Sequence, residues 1–110
     1  MLHVIEHTFY IQSHTDNISF PTKNVEITVK IVASDLGPYG MVAEREALQD
    51  IVNKMVWKEY TYELLSEYLY EEVDKYLIHR NIFKDGKRPY VDCVVISDED
   101  ITATFVPGDI

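Results

Sequence analysis

From Val25 to Ala33 the chain alternates between two kinds of side chain: Val25, Ile27, Val29, Ile31 and Ala33 fall on one side, Glu26, Thr28 and Lys30 on the other. Successive residues of an extended chain point to opposite faces, so this period of two predicts a half-buried β-strand. Leu2 to Ile11 predicts an earlier strand whose apolar side is diluted by His3 and His7. The period changes after Asp35, Gly37, Pro38 and Gly40, which break regular structure. Ala47, Leu48, Ile51, Val52, Met55 and Val56 then recur at three- and four-residue steps, predicting a helix from about Ala43 to Trp57. A second stripe, Leu64, Leu65, Tyr68, Leu69, Val73, Tyr76 and Leu77, predicts another helix, capped by Thr61 and carrying Glu63 at its positive end. Asp85-Gly86 marks a loop. Tyr90 to Ser97 and Ile101 to Val106 then predict a hairpin whose acidic tip, Asp98-Glu99-Asp100, lacks the favoured Asn-Gly chemistry.

The order β-β-α-α-β-β predicts an α+β fold: a four-stranded antiparallel sheet with two helices on one face, forming a single domain over residues 1–110. Such a layer leaves sheet edges and one sheet face uncovered, and association of sheets into a barrel is expected to cover them.

The formal charge of −9, from 19 acidic and 10 basic side chains, repels phosphate backbones and argues against nucleic acid as a partner. The single cysteine, Cys93, allows no internal disulfide; within the apolar run Val91 to Ile96 it is expected to be a buried structural thiol. No apolar stretch reaches the roughly 18–20 residues that span a bilayer, and no signal-peptide pattern opens the chain, so a soluble cytoplasmic protein is expected, with no membrane partner.

Four segments carry a family resemblance. Val25 to Val52, VEITVKIVASDLGPYGMVAEREALQDIV, resembles the second strand, Gly-Met-Val turn and first helix of the 6-pyruvoyl tetrahydropterin synthase and 6-carboxytetrahydropterin synthase family. Tyr60-Thr61-Tyr62-Glu63-Leu64-Leu65-Ser66 is similar to that family's Pro-Thr-x-Glu-Asn-Leu-Ala helix start. Tyr10-Ile11-Gln12-Ser13-His14 resembles its Phe-Ser-Ala-Ala-His end of strand one, and Val94-Val95-Ile96 with Ala103-Thr104-Phe105 its closing hairpin. The resemblance implies the tunnelling fold, assembly into trimers or paired trimers, and a pterin- or purine-like ring bound at a subunit interface.

It also implies a dismantled metal site. In the family the histidine ending strand one joins a His-Gly-His motif on zinc; here His14 keeps the first position, Pro21-Thr22-Lys23 replaces the motif and only the following Asn24 matches. Neither proline nor a protonated lysine offers zinc a lone pair, so no metal and no cofactor is expected. Asn17 stands where the family has its cysteine base, and Trp57 to Tyr60 is too short for the usual Leu-Asp-His element. The family's pterin-anchoring glutamate falls near Ser97-Asp98. Ligand-binding residues by resemblance are therefore His14, Asn24, Glu63 and Asp98; no catalytic residue is assigned, and the zinc-dependent lyase chemistry is expected to be lost.

Plainer roles compete for these residues. Glu63 suits a helix start without any ligand. His3 and His7 share a strand face about 13 Å apart, too far to chelate one ion together, and read as polar members of a sheet surface or interface. His79 beside Arg80 suits the negative end of the second helix. Tyr60, Tyr62, Tyr68 and Tyr70 could line a flat site, but helical spacing puts Tyr68 in the core stripe and Tyr70 on its flank. Lys23, in place of a zinc ligand, could neutralise an anionic ligand in the old pocket, but reads more plainly as a solvated lysine, and the acids of both helices read as an outer face. Two functions follow: a divergent pterin synthase-like binding protein, or a non-enzymatic oligomeric scaffold and protein-interaction module. An aldolase-like, metal-free reaction is disfavoured, because chemistry of that kind resembles a site with a lysine on the closing strands and residues 90–106 contain none.

Overall fold

The computed structural model describes residues 2–13, 23–37, 41–55, 61–80 and 88–108. Its elements run β1 (His3–Ser13), β2 (Lys23–Ala33), α1 (Arg45–Asn53), α2 (Tyr62–Arg80), β3 (Tyr90–Ser97) and β4 (Thr102–Phe105). The strands form one sheet in the order β1-β2-β3-β4, each antiparallel to its neighbour. A four-stranded antiparallel sheet with two helices is therefore the architecture, of the α+β class.

Register assigns the faces, because residues directly opposite one another in an antiparallel pair share a side. Phe9 lies opposite Ile27, and Ile27 opposite Ile96, which in turn faces Ala103. These side chains, with Val25, Val29, Ile31, Val91 and Val94, are buried beneath the helices together with Leu48, Val52, Leu65, Leu69, Val73 and Leu77. One exception to the alternation is Val32, which belongs to the other face yet is only 6% exposed. Val4 and Tyr90 sit opposite it on either side and shield it from water.

The strand register shifts once, between Lys30 and Ile31, where Cys93 pairs with Lys30 but Val91 pairs with Ile31. Asp92 is left as the unpaired residue of a β-bulge, 3.8 Å from the Lys30 ammonium. Cys93 is correspondingly half-buried on the helix-free face instead of in the core, contrary to the expectation from its apolar run.

Both helices differ from their sequence-based outlines. α1 begins two residues later than the stripe suggests, with Glu44 in extended conformation at its N-cap. Ala43 and Val42 are still buried, as loop residues. Val56 and Trp57 lie outside the described residues. In α2 the core is met by the four-residue series Leu65, Leu69, Val73 and Leu77, flanked by buried Ser66. That rotation turns Leu64 (53% exposed) and Tyr68 (44% exposed) outward, and brings Tyr70 against Phe105 with ring centroids 5.1 Å apart. The tyrosine roles read from the stripe are thus reversed, because α2 packs across the β3-β4 hairpin. Ser66 tolerates burial by donating its hydroxyl to the Glu63 carbonyl at 2.8 Å.

The helix ends follow expectation. The Thr61 hydroxyl accepts the Leu64 N–H at 3.3 Å. At the far end His79 Nδ1 meets the Lys75 carbonyl at 2.7 Å. The Tyr76 hydroxyl accepts from Arg80 Nη1 (2.8 Å) and from the backbone N–H of Glu44 (3.2 Å), pinning the start of α1 to the end of α2. The molecule measures 51 × 30 × 20 Å with a radius of gyration of 14.9 Å. A sphere-like domain of this length has a radius of gyration of about 13 Å, so the shape is a long slab two layers thick. Among the described residues no helix is long and apolar enough to cross a membrane.

Candidate functional site

At one end of the sheet, register collects residues that are distant in sequence. Tyr10 lies opposite Glu26, Glu26 opposite Ser97, and Gln12 opposite Asn24. All five occupy the face away from the helices. With Ile11, Val25, Asp98 and Glu99 they line a cleft of about 460 Å³. Tyr10 is 77% exposed, so its ring is open to solvent at the cleft. Gln12 Nε2 donates to Asn24 Oδ1 at 3.5 Å, a bond that does not engage the Gln12 carbonyl acceptor or the Asn24 amino donor.

Asp98 is fixed by the turn it builds. Its Oδ1 accepts the backbone N–H groups of Asp100 (2.7 Å) and Ile101 (2.9 Å), and its own N–H reaches the Ile101 carbonyl at 2.9 Å. A side chain that mimics a backbone turn in this way replaces the Asn-Gly chemistry the tip lacks. Oδ2 accepts the Tyr62 hydroxyl at 2.7 Å. Burial, then the hydrogen bond to Asp98 and its negative charge, hold the Tyr62 phenol far above its ordinary pKa, so Tyr62 stays a donor at all physiological pH.

Of the residues implied by the family resemblance, Asn24 and Asp98 meet in this cleft. Glu63 does not line it; it is exposed in the first turn of α2, next in sequence to Tyr62. His14 lies outside the described residues. Sequence reasoning did not single out Tyr10, Gln12, Glu26, Ser97 or Glu99 as site residues. Alternation did place Glu26 on the polar side of β2, but pairing with Tyr10 and Ser97 depends on register, which alternation leaves open.

A second cluster lies on the helix-side flank of β1. His3 and His7 stand opposite Ala33 and Val29. His7 stacks on Phe9 with centroids 6.4 Å apart, and the Arg45 guanidinium covers the same ring at 4.3 Å while donating to the Thr8 carbonyl at 2.6 Å. Burial, and secondarily the Arg45 charge, push the His7 pKa below its usual value. The Cys93 thiol is pushed up, chiefly by burial and then by Asp92, which keeps it protonated and a poor nucleophile. Among the described residues, no three His, Cys, Asp or Glu side chains are grouped to hold a metal ion. The cleft offers recognition: an open aromatic face, two amides and carboxylate acceptors.

In comparisons with known proteins, the chain matches no family model, no curated protein and no solved structure. The family resemblance therefore stands on the four sequence segments that carry it.

Proposed function

We propose that the chain is a divergent 6-pyruvoyl tetrahydropterin synthase-like binding protein of the tunnelling-fold kind, whose sheet-end cleft takes a flat, N–H-rich ring of the pterin or purine class between associated copies. The observation that carries this reading is the exposed Tyr10 ring beside Glu26, Asn24 and Gln12 in one cleft. The ring provides a stacking surface, and the amide and carboxylate groups suit the edge of a heterocycle bearing both donors and acceptors. The order β1-β2-α1-α2-β3-β4 with sequentially paired strands agrees with the fold that the resemblance implies. Zinc-dependent chemistry is not part of the proposal, since Pro21 and Lys23 occupy ligand positions of the family motif. Calorimetric titration with sepiapterin, neopterin and guanine tests it; no heat of binding to the intact protein at millimolar ligand rules it out. Stoichiometric zinc by elemental analysis would overturn the reading of a dismantled site.

A second reading, an oligomeric scaffold without a ligand, is favoured by the apolar end of the helix-free face. Val4 (56% exposed) and Tyr90 (50%) flank buried Val32 there. Light scattering that gives a monomer argues against both readings, since each relies on associated copies.

A further inference from the structure

We infer that the sheet-end cleft selects its ligand by charge, accepting a neutral or cationic ring and rejecting the phosphorylated form of the same ring; this rests on the cleft being the ligand site proposed above. Glu26 stands directly across the strand from Tyr10, so a carboxylate borders the aromatic face on which a ring would stack. Glu99 adds a second carboxylate to the wall, and Asp98 lies between Ser97 and Glu99. None of the described lining residues is basic.

Five of the described basic side chains are held away from the cleft, Lys75 among them by Glu72 at 3.3 Å. Lys30, on the same face of β2, pairs with Asp92 at 3.8 Å. Arg45 is held on the opposite face by Phe9 and the Thr8 carbonyl. Arg80 pairs with Glu44 and Arg88 with Asp74, at 3.6 and 2.7 Å. Glu26 and Glu99 are exposed and carry no ion pair or hydrogen bond among the described residues. A phosphate entering this cleft meets the Glu26 and Glu99 carboxylates, on a chain whose net charge of −9 already disfavours its approach. A protonated or amine-bearing ring gains from the same carboxylates and from the Tyr10 face.

The test compares guanosine with guanosine monophosphate, and neopterin with its monophosphate, by calorimetry at low and at high salt. The unphosphorylated member of each pair should bind about tenfold tighter or more at low salt, with the gap narrowing as salt screens the carboxylates. Glu26→Gln should shrink the gap, and Glu26→Lys should reverse it. Both changes fall at an exposed position, and a thermal melt checks that the fold persists. Equal or tighter binding of the monophosphate to the unaltered protein overturns the charge selection while leaving the cleft as the ligand site. If neither member binds, the ligand-site reading fails and the selection with it.

Discussion

A single carboxylate, Asp98, ties three elements together: it closes the β3-β4 turn through Oδ1 and reaches α2 through the Tyr62 hydroxyl on Oδ2. Replacing it with alanine strands two backbone donors and a phenol, and the expected loss is about 1–3 kcal/mol by urea denaturation. Asp98→Asn should lose less, because an amide oxygen can still accept the two N–H groups. Equal losses for the two variants would show that the turn geometry is not what Asp98 supplies. His7 gives a second residue-scale expectation. Val29 beside it on β2 is apolar, and the charged group facing it from α1 is Arg45. Its folded pKa lies below the unfolded value of 6.5, so the unfolded chain takes up the proton first. The associated stability is present above pH 6.5 and is lost as pH falls from there through the folded pKa. His7→Leu should flatten that slope in denaturation curves, and Arg45→Met should raise the His7 pKa followed by NMR.

At the level of elements, the sequence made β2 plain because apolar and polar side chains alternate without a break from Val25 to Ile31, with Val32 the one departure. β1 and β2 extend beyond the reading, to Ser13 and from Lys23, since their polar ends carry no apolar alternation to mark them. The stripe of α2 misassigned Tyr68 and Tyr70 for a different reason. Stripe width is readable from spacing, but rotation about the helix axis is set by what lies beneath, and here that is the β3-β4 hairpin with Phe105. The site was half legible: Asn24 and Asp98 came from motif positions, whereas Tyr10 and Glu26 became partners only through register. Packing between α1 and α2 gives its own prediction. The Tyr76 hydroxyl holds the Glu44 N–H, and the Glu44 carbonyl receives the Leu48 N–H at 3.2 Å, so both bonds sit at the start of α1. Tyr76→Phe should speed amide exchange in the first turn of α1, corresponding to about 1 kcal/mol, while leaving the β2 amides unchanged.

For the whole molecule, the slab shape matters more than any one contact. Helices cover one face of the sheet, and the other carries the polar cleft at one end and Val4, Val32 and Tyr90 at the other. If copies associate through the apolar end, as the scaffold reading holds, Val4→Asp places a charge in that contact and should reduce the mass found by light scattering. An unchanged mass would direct attention to the strand edges. Long-range repulsion from the net charge of −9 makes such association stronger at higher salt, the opposite of an ion-paired interface.

The bulge at Asp92 gives β3 a spare residue. Because Cys93 already faces Lys30 and Val91 already faces Ile31, deleting Asp92 joins two stretches that are in step with β2. Tyr90 and Val91 would keep their sides, and only a surface ion pair would go. Deleting Val95 instead puts one half of β3 out of phase and sends apolar side chains to solvent. The strand therefore has one position of slack, and a shortened relative lacking that residue should fold with the same sheet.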